Sequence, residues 1–347
     1  MNILVTGGAG YLGSVMIPKL LIRGHRVRIV DVGYFGTEHL RSLRPGVEIL
    51  REDLRLIGRD AVLQDRLLEG IDCVIHLAAI SNDPSADLNP TLTTDINLDA
   101  TVELAKVTRS RGIKLLFSSS CSVYGEADGE MDETSPTGPL TTYAISKLEA
   151  EKQLLELTTD EWRPIILRNG TLFGFSPRMR FDLVINIFAL YSCMAGEIHV
   201  FGGGMQWRPF MHVADCARAF LFLAENNELK HQIYNVSHEN WRVADIAEKM
   251  KQLVPHLKVE YQPQLDPDSR DYRVVQHRIT EAGFMPRISV EMGVEEMIEA
   301  IITGHIRDPE SVYYRNAKWL KELSAVEGRE PQEVLNLLET LLGFRGN

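Results

Sequence analysis

Tyr143 and Lys147 stand four residues apart in TTYAISKLEAEK, downstream of the serine-rich segment LLFSSSCSVYG. On a helix, positions i and i+4 share a face, so the Lys ammonium would sit beneath the Tyr phenol and favour its ionised form. A free phenol titrates near roughly pH 10 and needs such help to act as a base at neutral pH. Alone, the pattern more often means a surface Lys over a half-buried Tyr than a catalytic pair. The rest of the chain has to decide.

The N-terminal stretch MNILVTGGAGYLGSVMIPKLLIRGHRVRIVDVGY reads as strand, glycine loop, helix and strand. Gly8-Ala9-Gly10-Tyr11-Leu12-Gly13 satisfies G-x-G-x-x-G, and Gly7, Gly10 and Gly13 satisfy the looser G-x-x-G-x-x-G. Glycines here allow a tight turn, let a pyrophosphate approach the backbone, and let the next helix pack on the strand. Asp31 closes the second strand at roughly the twenty-residue spacing at which an acidic side chain accepts hydrogen bonds from the adenosine ribose hydroxyls. A carboxylate there would repel a ribose phosphate, so NAD is expected rather than NADP.

These groups need a scaffold. Strand-like runs over 2–6, 27–30, 47–51, 73–77, 114–118 and 165–168 alternate with helical segments, which argues for βαβ crossovers. The expected fold class is α/β, a Rossmann-like doubly wound parallel sheet with a smaller C-terminal substrate-binding region. The NAD-binding domain is expected over 1–172, with its core continuing into parts of the later chain. A mainly nucleotide-sugar-binding region follows over 173–307, where helix, short strand, glycine turn and helix succeed one another. Residues 308–347 form a helical, Leu-rich extension whose Trp319, Leu320, Leu335, Leu338 and Leu341 suit packing on the body or a sister subunit.

Composition narrows the function classes. With 347 residues and a net charge of −11, nucleic acid and anionic membrane are disfavoured as partners. No run approaches a membrane span and the first residues read as a strand, so a cytoplasmic location is expected. Cys73, Cys121, Cys193 and Cys216 are scattered and form no zinc-like pair, so reduced thiols and no metal are expected.

Taken together, these residues resemble the extended short-chain dehydrogenase/reductase family, in particular its nucleotide-sugar epimerases, dehydratases and reductases, over roughly residues 1 to 305. The resemblance implies that the glycine loop and Asp31 hold NAD, that Asp53-Leu54 lies beside adenine, and that His76-Leu77-Ala78-Ala79 lines the dinucleotide. For His76 a satisfied strand-end histidine is the alternative. Ser120, the third serine of Ser118-Ser119-Ser120, joins Tyr143 as base and Lys147 as its partner. Ser81, Thr171, Asn186, Arg208 and Arg270 are implied to contact a nucleotide-diphosphate sugar. Thr171 stands where the family usually has Asn, and two guanidinium forks suit a diphosphate. Arg178 and Arg180 read as a solvated basic face, and His212 as packing. A homodimer is implied through the helices beginning near Asn97 and Tyr143, whose Leu104, Val107, Leu148 and Leu155 could equally face their own sheet.

The implied chemistry is oxidation of a sugar carbinol, usually at C4. Family dehydratases carry Thr-Asp-Glu where this chain has Ser120-Cys121-Ser122, and elimination needs an acid and a base that those carboxylates provide. Cys121 could exchange protons, since a thiol titrates near roughly 8.5, or could be a small hydrophobe in a tight turn. In related 3,5-epimerases and fucose-type synthases the working Cys aligns with Ser122 instead. The expectation is therefore an NAD-dependent nucleotide-sugar epimerase acting at C4. A 4-keto-sugar reductase or 4-oxidase, and a catalytically silent NAD-binding scaffold, are the alternatives.

Overall fold

The computed structural model describes residues 1–263 and 270–323. Among these the strands are, in chain order, β1 (Asn2–Thr6), β2 (Arg26–Val30), β3 (Val47–Leu50), β4 (Cys73–His76), β5 (Lys114–Ser120), β6 (Glu126–Met131) and β7 (Ile165–Asn169). Then follow β8 (Thr171–Phe173), β9 (Glu197–Phe201), β10 (Trp207–His212), β11 (Ile233–Val236), β12 (Glu239–Arg242), β13 (Lys258–Gln262) and β14 (Asp271–Val274). Seven of them form one sheet in the order β11-β7-β5-β4-β1-β2-β3, and every pairing within it is parallel.

Both faces of this sheet are covered, and side-chain alternation along a strand shows it. In β1, Ile3 and Val5 join one core cluster while Leu4 joins the other. In β5, Leu116 points to the first and Leu115 and Phe117 to the second. The first face is covered by the helices Tyr11–Ile22 and Val213–Glu225, the second by Ala61–Leu68, Ala100–Ser110 and Thr142–Glu156. The runs CVIH and IILRN are buried at every position, as strands covered on both sides must be.

The expected run of helix, strand, glycine turn and helix after residue 172 is present as Val184–Met194, β9, Gly202–Gly204, β10 and Val213–Glu225. Three small sheets, β12-β10-β8, β13-β9 and β14-β6, stand beside the main one. The last of that helical run and β11 return to the main sheet, so later parts of the chain complete it. Of the C-terminal extension, the helix Asn316–Glu322 is described and packs near Tyr34 through Trp319 and Leu320. Leu335, Leu338 and Leu341 lie outside the described residues.

The strand order reverses between β1 and β4. In open α/β sheets the crevice beyond the carboxyl ends at such a point is where ligands bind. The main cleft lies there, lined by the ends of β1, β2, β4, β5 and β7.

Candidate active site

The glycine loop leaves β1 through Gly7, at φ +67°. A Cβ on Gly7 would come within 2.7 Å of the Ala78 backbone, and one on Gly13 within 2.5 Å of the Gly8 carbonyl. Only glycine fits this cradle. The helix Tyr11–Ile22 begins at Gly10 with no side-chain cap and no acid in its first turn, which leaves its positive end and first amides for an anion. Gly7, Gly10, Tyr11, Leu12 and Gly13 all line the cleft. The backbone therefore fits a dinucleotide pyrophosphate.

Asp31 accepts the Ala9 amide at 3.0 Å and the Gly33 amide at 2.8 Å. Burial pushes its carboxyl up, against the pull of those two amides and of Arg178 and Arg51. Its orientation over the glycine loop is thus fixed without a ligand. Asp53 caps the short turn Leu54–Leu56 and is clasped by Arg55 at 2.6 Å. Leu54, Leu77, Ala78 and Ala79 line the cleft beyond. His76 is a satisfied buried histidine: Nδ1 meets Thr6 Oγ1 at 2.6 Å and Nε2 meets Thr101 Oγ1 at 2.9 Å. Burial pushes its pKa down to about 3, so the ring is neutral.

Ser120 ends β5, and Tyr143 opens the helix Thr142–Glu156, which Thr141 caps by accepting the Ala144 amide at 3.2 Å. Both line the cleft, and the Ser120 side chain acts on the Tyr143 phenol. Burial, and then the charge of Asp83, push the Tyr143 phenol up, while Ser120, Arg180 and Arg270 pull it down. Lys147, one turn on, donates to the Ser118 carbonyl at 2.9 Å. Burial brings its pKa down to about 7, with Glu151 opposing. Glu151, a further turn along, pairs with Arg168 at 2.7 Å in the interior. Asn169, opposite Ser120 on β7, ties the serine strand by donating to Ser118 Oγ at 2.9 Å.

Ser81, Asp83, Thr171, Arg180 and Arg270 also line the cleft. Arg270 pairs with Asp83 at 3.0 Å, and Asp83 also accepts from the Thr141 hydroxyl. Arg208 donates to the Arg270 carbonyl and to the Trp207 carbonyl, so it steadies the strand segment carrying Arg270 and is not among the cleft-lining groups.

Several expectations need correcting. Arg178 and Arg180 are not a solvated face: they are 2% and 8% exposed. Arg180 is paired with Asp182 at 2.9 Å, and Arg178 lies 3.8 Å over the Phe35 ring. Asn186 is fully buried; it accepts the Gly174 amide and donates to Tyr11 Oη and the Arg180 carbonyl, so its polar atoms are spent on holding Tyr11 rather than facing the cleft. Cys121 is buried beneath the turn, its thiol 3.2 Å from the Arg168 carbonyl, and burial pushes that thiol strongly up. It packs with Val123, Tyr124 and Leu148 as a small hydrophobe. His212 does serve packing, capping the helix Val213–Glu225 and reaching Glu296 at 2.7 Å. Cleft residues that pattern reasoning missed include Asp83, Asn169, Asn316 and Leu320. The Asn82-Asp83-Pro84 turn after β4 was a usable signal for the first; nothing local marks the last two.

A dinucleotide crevice at the reversal of strand order, with Ser, Tyr and Lys gathered at its edge, defines a Rossmann-type site of the extended short-chain dehydrogenase/reductase kind. Residues 3–237 match the NAD dependent epimerase/dehydratase family, and the chain belongs to it; NAD is its cofactor. UDP-glucuronic acid decarboxylase 1 of Xenopus tropicalis is 28% identical over 309 residues, covering 86% of this chain and 71% of that protein. An uncharacterized UDP-glucose epimerase of Bacillus subtilis is 30% identical over 249 residues, covering 68% of this chain and 76% of the relative. The solved UDP-glucuronic acid 4-epimerase of Bacillus cereus, in complex with UDP-glucuronic acid and NAD, superposes with a TM-score of 0.74 at 25% identity, covering 87% of this chain and 99% of the other. No helix among the described residues is long and apolar enough to cross a membrane.

Proposed function

We propose that the protein is an NAD-dependent nucleotide-sugar epimerase that inverts C4 through a transient 4-keto sugar. The observation that carries the reading is Ser120 and Tyr143 together at the cleft, with Lys147 one helical turn behind. Tyr143 takes the proton of the sugar hydroxyl and later returns it, while Ser120 holds the same oxygen. When bound, NAD supplies the hydride acceptor, gives the hydride back, and brings positive charge to the cleft. Gly7, Gly10, Gly13 and Asp31 would hold it, and Arg270 is a cleft cation that suits the diphosphate.

What the ketone does next decides the reaction. Elimination is disfavoured because Cys121 and Ser122, at the positions where dehydratases carry carboxylates, are each 1% exposed and lie off the cleft. Asp83 is the carboxylate that acts on Tyr143, and it is tied to Thr141 and Arg270. Simple return of the proton and hydride needs no such carboxylates.

A second reading is decarboxylation of a nucleotide-linked uronic acid, in which a 4-ketone activates loss of the neighbouring carboxylate as CO2. Two observations favour it: the decarboxylase match spans 86% of this chain, and Arg180 and Arg270 both act electrostatically on Tyr143, so cations stand where a sugar carboxylate would need them. Incubation with UDP-glucose and UDP-glucuronic acid, read by NMR, separates an inverted hexose from a pentose plus CO2. The protein is also read as a cytoplasmic homodimer.

A further inference from the structure

The described part of the C-terminal extension lines the cleft, at the end occupied by Asp31. Asn316 and Leu320 are cleft residues, alongside Tyr34, Phe35 and Arg178. This segment lies outside residues 3–237, over which the family resemblance runs. It ties three separate loops together. Trp319 Nε1 donates to the Tyr34 carbonyl, after β2, at 2.7 Å. Asn316 Nδ2 reaches Ser81, after β4, at 3.4 Å from the hydroxyl and 3.5 Å from the carbonyl. Tyr314 accepts the Phe181 amide at 2.7 Å, and the two rings meet edge to face.

Arg178 is the centre of this arrangement. It is 2% exposed, its guanidinium stacks 3.8 Å from the Phe35 ring centroid, and Nη2 donates to Asn316 Oδ1 at 2.6 Å. Its Nε has no hydrogen-bond partner among the described residues. A buried guanidinium with an unused donor is costly unless something answers it. Asp31, already engaged by two backbone amides, supplies attraction but no hydrogen bond to it. Arg178 lines the cleft together with Asp31, so an acceptor entering there, such as the ribose hydroxyls or pyrophosphate oxygens of a dinucleotide, would answer the guanidinium.

We propose that Asn316 and the helix it opens are part of the cofactor site: Asn316 holds the Arg178 fork for the adenosine-ribose end of the dinucleotide, and Trp319 fastens that helix to Tyr34. The helix lines the cleft and is tied to Tyr34 and Ser81, so its contacts are expected to act on the release rate. The proposal rests on NAD binding and not on the fate of the sugar, and it is tested with NAD alone; failure of the epimerase reading would leave it standing.

The test is the rate at which bound NAD is released into an excess of unlabelled NAD. Trp319→Ala and Asn316→Ala should each accelerate release by about tenfold or more, since weakened contacts at a site act mainly on the off-rate. Trp319→Phe, which keeps the ring beside Tyr313 but loses the bond to Tyr34, should fall between. A purely structural role would lower the ligand-free melting temperature and leave release unchanged in the folded variants, and that result would overturn the proposal. Hydrogen exchange on the unaltered protein decides independently of the variants: NAD should protect the amides of residues 316–323, and equal exchange with and without NAD would refute the assignment.

Discussion

The Lys147 ammonium nitrogen lies 6.0 Å from the centre of the Tyr143 ring, and its hydrogen bond goes to the Ser118 carbonyl at 2.9 Å. The i, i+4 spacing brings the two side chains to one face, yet in the ligand-free protein Ser120, Arg180 and Arg270 are the groups that draw the phenol down, and burial outweighs them. Tyr143 is therefore protonated at neutral pH in this arrangement.

Tyr143→Phe removes only the proton-transfer group. Turnover should fall by roughly 10²–10⁴-fold, the range that a positioned acid or base contributes, with NAD affinity by calorimetry retained. Turnover near that of the unaltered protein would remove Tyr143 from its role.

Lys147 gives a stability test with a defined sign. Its folded pKa is about 7, against about 10.4 for a free lysine. Between those values the unfolded chain binds the proton more than the folded one, so this group's contribution to stability rises with pH across the window and is flat below it. The stability difference between the unaltered protein and Lys147→Met, from chemical denaturation, should shift in favour of the unaltered protein from about pH 7 to about pH 10. A constant difference would mean that Lys147 is not desolvated in the fold.

Cys121→Ala should leave turnover within about twofold and cost roughly 1 kcal/mol of stability, the ordinary price of trimming a buried side chain. A loss of several orders in a folded variant would return the thiol to the chemistry.

Leu104, Val107 and Leu148 are 0%, 8% and 7% exposed within one chain, so a dimer seam on these helices has to use other groups, such as Ile145 at 47%. Light scattering at micromolar concentration should give twice the chain mass, and Ile145→Glu should lower it. A monomer mass for the unaltered protein would reject the assembly.

The sequence made much of this legible where the signal is local. Apolar runs bounded by glycine marked six strands of the main sheet, and Gly7 to Gly13 with Asp31 marked the crevice, because tight backbone approach leaves glycine as the one choice. β11, with Asn235 in a four-residue strand, carried too short a run to stand out. Arg178 and Arg180 looked solvated because charge normally is; what buries Arg178 is Asn316, 138 residues away, and no local pattern announces such a partner. Asn186 looked like a contact because a polar residue on an apolar helix is conspicuous, whereas the turn at Gly174 that consumes it is visible only in three dimensions.

The central claim is that the 4-ketone is simply reduced again on its other face. The most direct measurement is NMR of a UDP-hexose incubated with the protein and NAD in deuterated water. The account predicts the C4 epimer with no deuterium on any ring carbon and no net NADH. Deuterium at C3 or C5, release of CO2 from UDP-glucuronic acid without an inverted hexuronate, or accumulation of a 4-keto-6-deoxy sugar would contradict it.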